Sequence, residues 1–259
     1  MNQTAKSIWT GAAAVILIAA AVTVKIFSLS SVKDAWFQPN QQRLRQVPKD
    51  WVVVRPTHFP KSPINAMTFA RVNGTFRMAG RNVTFQRLIS VAYSYNPGRI
   101  ALPAGAPKGN YDFLVTFPKD PTGRLQLAIK KKVGYTADKE TRDTDVLALK
   151  VTDPNSPGFQ VSGASRQDIS ERNGRLYMTH MRLSTLAQLL EQVVNAPVVD
   201  KTGLTNYYDF SLVWDPQTRR QVQNGALDSE TGQKILGEWG LDLEPDTASI
   251  EMLVVKKVY

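Results

Sequence analysis

The chain contains no cysteine and only two histidines among its 259 residues. The absence of cysteine excludes disulfides and thiolate chemistry. A catalytic triad or a zinc site would need one of the histidines beside well-placed partners. His58 lies in a loop between two prolines and His180 lies next to Met181, and neither belongs to a His-Glu-x-x-His pattern. We therefore interpret both histidines as structural or incidental, and we predict no metal and no cofactor.

Charge is missing from residues 8–24. If Lys25 snorkels, the apolar stretch over residues 8–27 reaches about 20 residues, which is long enough to span a bilayer. We therefore expect residues 1–30 to be an uncleaved, single-pass inner-membrane anchor. A signal segment cleaved at a small-x-small site near Ser30 is the alternative, which would give a secreted protein. Both interpretations place the bulk of the chain outside the cytoplasm.

Basic and acidic residues are unevenly distributed over a chain whose net charge is +10. Residues 31–50 are polar and have no hydrophobic period, which predicts a tether. Residues 51–155 contain sixteen basic and seven acidic residues, a net charge of +9, whereas residues 156–259 contain ten and thirteen, a net charge of −3. Such an imbalance favours an anionic partner for the basic segment.

Three short segments occur twice, in the same order and at offsets of 100, 97 and 106 residues. The pairs are Asn73-Gly74 with Asn173-Gly174, Tyr111-Asp112-Phe113 with Tyr208-Asp209-Phe210, and Gly134 with Gly240. A duplicated unit defines an architecture better than any single motif does. The sequence therefore predicts two tandem repeats, a basic one over residues 51–155 and an acidic one over residues 156–259.

Each repeat is predicted to be a β-β-α-β-β-α-β-β unit in the α+β class, with its strands on one sheet and two helices against one face. Phe85, Leu88, Ile89 and Ala92 have the spacing of one helix face, and Leu186 begins the same stripe in the second repeat. The aromatic-rich segments that contain Phe113 and Phe210 alternate as strands do, which predicts equivalent core sites for these two rings. Two short strands are expected to close each repeat.

Two further patterns resemble known binding or catalytic motifs but lack residues that those motifs require. Asp200-Lys201-Thr202-Gly203 lacks the glycines that precede the lysine of a phosphate-binding loop, so we interpret it as a strand exit and turn. Asp112 and Asp209 are paired by the duplication, but neither lies in the Asp-Thr-Gly or Asp-Ser-Gly loop of aspartic proteases. We expect each to accept hydrogen bonds from a neighbouring loop.

The second repeat resembles a known family. Pro197-Val198-Val199-Asp200-Lys201-Thr202-Gly203-Leu204, followed by Tyr208-Asp209-Phe210, is similar to the signature of a large family of soil-bacterial envelope proteins. The resemblance extends over about residues 51–257. Members of that family are usually secreted or anchored, and some are fused to BlaR-type peptidase sensors. The resemblance therefore implies an envelope location, and it implies no reaction.

These observations favour a non-catalytic, membrane-anchored envelope module that binds a protein or an anionic cell-surface polymer. Arg77, Arg81 and Arg87 are predicted to form one anion-binding face on the basic repeat, because arginine grips carboxylate and phosphate with a planar fork. No nucleic-acid partner is expected, because the chain is expected to be exported. An extracytoplasmic sensor domain is the alternative, and a periplasmic hydrolase is less favoured.

Overall fold

The computed structural model describes residues 33–213, 215–224, 227 and 229–258. The predicted anchor over residues 8–27 and the alternative cleavage site near Ser30 lie outside them. Within the described ranges, no helix combines the length and the apolar character that crossing a membrane requires. Residues 36–259 form one compact unit.

The first half, residues 51–155, follows one short helix and contains six strands and two helices. The elements are α1 (Gln41–Gln46), β1 (Val52–Pro56), β2 (Ala66–Val72), β3 (Thr75–Val83), α2 (Phe85–Tyr93), β4 (Ile100–Ala101), β5 (Tyr111–Val115), α3 (Pro121–Lys132) and β6 (Tyr135–Val151). Short 3-10 turns cover Asp34–Phe37 and Pro97–Arg99.

The second half, residues 156–259, repeats the order of strands and the first helix. Its elements are β7 (Gln160–Val161), β8 (Asp168–Arg172), β9 (Arg175–Met181), α4 (Leu183–Val194), β10 (Val198–Asp200), β11 (Tyr208–Val213), α5 (Pro216–Asn224), α6 (Ser229–Glu238) and β12 (Leu241–Lys257). Two helices, α5 and α6, stand where the first half has α3 alone.

Each half has an antiparallel outer sheet of four strands, ordered β1-β5-β3-β2 in the first and β7-β11-β9-β8 in the second. Corresponding strands therefore occupy corresponding places. Phe113 lies opposite Gly80 and Phe210 lies opposite Met178, and both rings are buried. The predicted α+β class and the equivalence of the two rings are confirmed.

A third sheet, ordered β10-β6-β12-β4, joins the halves. β6 and β12, each 17 residues long, pair antiparallel along their whole length. The short strands are exchanged, since β4 pairs with β12 and β10 pairs with β6, both parallel. Each hydrophobic core is completed in the same way: Leu253 and Val255 of β12 enter the first core, and Leu149 of β6 enters the second. The two halves are therefore interlocked.

The predicted element order is wrong in three respects, of which the first is the additional helix α5 of the second half. The strands of each half also lie in two sheets and not in the predicted single sheet. An additional strand, β2 or β8, precedes the Asn-Gly segment of each half, and the segment itself is the turn of a hairpin. Asn73 and Gly74 both have positive φ, as do Asn173 and Gly174, and this conformation matches the twist of antiparallel strands. The expected closing pair of short strands is instead one long strand in each half, β6 and β12. No glycine or proline interrupts residues 135–151, and Pro245 lies within β12 without ending it.

The segment expected to be a tether also packs against the protein. Phe37 and Leu44 are fully buried and Val47 is nearly so. Asn40 caps α1 by accepting hydrogen bonds from the main-chain N–H groups of Gln42 and Arg43. α1 lies against β2 and β3 of the first outer sheet. Three well-placed apolar side chains are enough to cover a sheet face, even though they show no period.

Candidate functional site

The structure does not bring the three predicted arginines onto one exposed face. Arg77 is only 3% exposed, and its Nη1 donates hydrogen bonds to the carbonyl oxygens of Leu44, Arg45 and Val47 at 3.1, 3.1 and 2.6 Å. These carbonyls lie at the carboxyl end of α1, where main-chain acceptors lack helical partners. Arg77 therefore fastens α1 to the sheet, and the prediction that it meets an external anion is corrected.

The other two arginines occupy different environments. The guanidinium of Arg81 lies 3.8 Å from the ring centre of Phe59, in a cation–π contact. Arg87 projects from α2, is half-buried, and donates a hydrogen bond of 3.4 Å to Ser90 Oγ. Burial lowers the pKa of Arg87 below its usual value. Of the three, only Arg87 lines a cleft.

That cleft, the interhalf cleft, has a volume of about 700 Å³. Its walls are formed by β2, β3 and α2 of the first half and by α4 and β12 of the second. Its aromatic and charged lining consists of Phe69, Phe76, Arg87, Tyr95, Arg99, Glu191 and Glu251. Phe69 and Phe76 stack with their ring centres 5.7 Å apart, and Phe69 remains 38% exposed. The cleft therefore presents an aromatic surface beside charged groups.

The carboxylate of Glu191 forms the floor of the interhalf cleft and is 1% exposed. It accepts hydrogen bonds from Arg99 Nε at 2.5 Å, from Asn96 Nδ2 at 2.7 Å and from the main-chain N–H of Val198 at 3.0 Å. Gly98 packs so closely that a Cβ there would lie 2.9 Å from the carbonyl oxygen of Ala196. This cluster fixes the position of one half against the other.

Glu251, at the rim of the cleft, has its own partners. Its Oε1 lies 3.0 Å from Lys139 Nζ and accepts a hydrogen bond of 3.2 Å from the hydroxyl of Tyr95. The lysine and the hydroxyl lower the pKa of Glu251. Desolvation, followed by the bond to Glu251, raises the pKa of Tyr95 to about 12. Among the charged side chains that line the cleft in the described residues, Arg87 alone therefore forms no ion pair.

The aspartates that the duplication pairs hold loops, as expected. Asp112 accepts hydrogen bonds from Thr57 Oγ1 at 2.7 Å and from the main-chain N–H groups of His58 and Asn82 at 2.9 and 3.1 Å. Asp209 accepts one from the N–H of His180 at 2.8 Å. Asn82 and His180 are corresponding left-handed residues at a bulge in the outer sheet. Both carboxylates therefore stabilise the same backbone feature.

The Asp-Lys-Thr-Gly run forms the turn that follows β10. Asp200 Oδ1 accepts hydrogen bonds from the N–H and the hydroxyl of Thr202 at 3.0 and 2.6 Å, and Gly203 has a positive φ. Lys201 Nζ lies 3.9 Å from a carboxylate oxygen of Asp246. Tyr208 is buried and stacks on a neighbouring ring. These residues shape the fold and do not converge on an open site.

The two histidines lie in different halves and share no site. The main-chain N–H of His58 bonds to Asp112, and the ring of His180 stacks on Tyr207 with the ring centres 3.8 Å apart. In the described part of the chain, no group of three or more histidine, aspartate or glutamate side chains is arranged to hold a metal ion.

A second space, the apolar cavity, lies within the second half. It has a volume of about 500 Å³ and is bounded by β8, β9, β11, α4 and α6. A closed and empty void of that volume would cost about 12 kcal/mol at roughly 24 cal/mol per Å³. This cost approaches the whole stability of a typical domain, about 5–15 kcal/mol. The cavity must therefore admit solvent or an occupant.

Comparison with family models matches residues 86–258 to the family described as "Protein of unknown function (DUF3738)". The chain belongs to the DUF3738 family. The match covers about two thirds of the chain, from α2 to the end of β12, and includes every strand of the central sheet. Comparisons with curated proteins and with solved structures give no match.

The DUF3738 segment contains Arg87, Arg99, Glu191 and Glu251 of the interhalf cleft and the complete lining of the apolar cavity. Sequence reasoning found Arg87 by its charge but missed Glu191. A buried glutamate on the stripe-bearing helix α4 is the signal that could have revealed it, because buried carboxylates require partners.

Proposed function

We propose that this chain is a non-catalytic binding module of the cell envelope, and that its interhalf cleft holds an anionic cell-surface polymer through Arg87. The observation that supports the proposal most directly is the half-buried guanidinium of Arg87, which has no carboxylate partner among the described residues. A partly desolvated cation without a counterion is costly. A ligand carboxylate or phosphate would restore its charge-assisted hydrogen bonds.

The aromatic surface defines the ligand further. Phe69 and Phe76 present stacked rings on one side of the cleft, and the guanidinium of Arg87 presents hydrogen-bond donors. Such a surface suits a carboxylate-bearing sugar unit, which has an apolar ring face and a charged edge. Gln188 of α4 lines the same cleft, so the second half adds an amide to the cation that the first half supplies.

The proposal also concerns the location of the protein in the cell. We propose that residues 8–27 anchor the chain in the inner membrane and that the two halves are tandem copies of one α+β unit outside the cytoplasm. The uncharged run, followed by a polar segment, supports the anchor. Fractionation of the tagged full-length chain tests this location: a soluble cytosolic signal contradicts export, whereas soluble extracytoplasmic protein beginning near Ser31 selects cleavage.

The binding test uses the full-length chain in phosphatidylcholine nanodiscs, sedimented with isolated cell-wall sacculi. Arg87→Gln should weaken binding about tenfold or more, because a charge-assisted hydrogen bond contributes roughly 1.5–3 kcal/mol. The matched control is Arg71→Gln, which removes an exposed arginine from the same half. Binding should also fall as salt rises, because charge attraction is screened over about 8–10 Å at physiological salt.

Equal binding by the two variants contradicts the role of Arg87. Binding that is insensitive to salt and to both substitutions would instead favour a protein partner at another surface.

A further inference from the structure

The apolar cavity is lined almost entirely by aliphatic side chains. Ile169 and Leu176 contribute from β8 and β9, Leu190 and Val193 from α4, and Leu236 from α6. Asp242 is the only charged residue among the described residues of the lining, and its Oδ1 accepts a hydrogen bond of 2.8 Å from the N–H of Leu243. An apolar cavity of this kind holds water poorly and accepts apolar ligands.

Helix α6, which forms one wall of the apolar cavity, leaves room for a ligand. In the first half, α3 stands where the second half has α5 and α6, and its Leu125 and Ile129 are fully buried. In the second half, Gly232 of α6 lines the cavity, and a Cβ at that position would meet only the side chain of Leu227, at 3.5 Å. Glycine is less favourable than alanine inside a helix, and here its missing side chain keeps the cavity wide.

We propose that the apolar cavity binds a single aliphatic chain of about 16 carbons, from a fatty acid or from a lipid. The volume supports this size: a methylene group is about as large as a water molecule, which takes roughly 30 Å³ in the liquid, so about 500 Å³ holds some 16 such groups. Gln192 and Gln233 are exposed residues of the lining and offer amide donors to a carboxylate or an ester. Arg87 takes no part in this site; of the two amides, Gln192 also borders the interhalf cleft, whereas Gln233 lines the apolar cavity.

The test uses the full-length chain and photo-reactive palmitic acid that carries a diazirine and is delivered from cyclodextrin. Mass spectrometry should locate the label in peptides that line the apolar cavity. Gly232→Leu should reduce that label at least tenfold, because its side chain occupies the space. Gly237→Leu is the matched control on the same helix, where a Cβ meets nothing within 4 Å, and it should label like the parent chain.

A second arm of the experiment distinguishes a free fatty acid from a membrane lipid as the source of the aliphatic chain. Phosphatidylcholine with a diazirine on one acyl chain, presented in nanodiscs, labels the cavity if a lipid is bound, whereas labelling by palmitic acid alone selects a free fatty acid. Palmitate should also raise the thermal midpoint of the unmodified chain by several degrees, while hexanoate should not, and this measurement needs no variant to fold. The proposal is overturned by equal labelling of both variants, by label confined to residues 8–27, or by an unchanged midpoint at saturating palmitate.

Discussion

Replacing Asp112 by asparagine should destabilise the protein far more than the same replacement of Asp209, although the two aspartates occupy corresponding positions. Asp112 is completely buried, and its Oδ2 lies 3.4 Å from Nε of Arg55, whose side chain is 2% exposed. Asp209 is half-exposed and forms no ion pair within the described residues. Asp112→Asn therefore removes a buried negative charge that is paired with Arg55. Asp209→Asn removes only the charge of a half-exposed carboxylate and keeps an oxygen that can accept a hydrogen bond.

The magnitudes follow from these environments. Removing one partner of a buried ion pair costs about 3–5 kcal/mol. At Asp209 the asparagine oxygen can still accept the bond from His180, so the cost should be about 1 kcal/mol. For a chain of this size, 1 kcal/mol shifts the thermal midpoint by about 2–4 °C, so the two variants should differ by roughly 5–15 °C.

Thermal melts and urea titrations of both variants at pH 7 measure the difference. A double-mutant cycle with Arg55→Met measures the coupling between the side chains of Arg55 and Asp112, which should be about 0.5–3 kcal/mol for residues in contact. Equal midpoints for the two single variants, or a coupling energy near zero, would refute the argument that the ion pair distinguishes the halves.

Three further results are expected. Because the halves exchange strands, the full-length chain should unfold in one cooperative transition and residues 51–155 alone should not fold, as circular dichroism would show. Gly240→Ala should cost several kcal/mol more than Gly134→Ala in urea titrations: both positions have positive φ, but a Cβ at Gly240 would lie 2.1 Å from the carbonyl oxygen of Asp153, whereas one at Gly134 meets nothing within 4 Å. The pKa of Tyr95 is raised to about 12, so the contribution of its neutral hydroxyl to stability is complete below pH 10 and is lost as the pH rises from 10 to 12. This loss should be no more than about 1 kcal/mol, because the group is partly solvated. Tyr95→Phe should remove the loss when urea unfolding at pH 9 and 11.5 is compared.

The features that sequence could predict are those with a local period. The stripe beginning at Phe85 becomes α2, and the alternation around Phe113 becomes β5, because each pattern states which face is buried. The pairing of β6 with β12 has no such signal. A strand's period defines its faces but not its partner, and the paired residues are 90 to 122 positions apart in sequence.

The arginines of the candidate site show the same limit of sequence-based prediction, because long-range contacts decide whether each one is buried or exposed. Alternation with Phe76 and Met78 correctly places Arg77 on the opposite face of its strand. That face is covered by α1, whose packing depends on isolated apolar residues such as Leu44, so charge alone could not show that Arg77 is buried. The pairing of Arg99 with Glu191 joins residues 92 apart and likewise has no local signature.

The two binding spaces occupy corresponding places in the two halves, and the point at which the bounding helix ends accompanies their different chemistry. Each is bounded by the second and third strands of an outer sheet and by the helix that follows them. In the first half, five residues separate the left-handed Ser94 from β4, and among them Tyr95 and Arg99 bring polar groups into the space. In the second half, only two residues separate Asn195 from β10, so no such groups enter, and α6 closes the space with aliphatic side chains instead. Because α4 is three residues longer than α2, the connection from the preceding strand to the following one has the same total length in both halves. The chain therefore places a polar loop beside the charged cleft where the other half has an additional helical turn beside the apolar cavity.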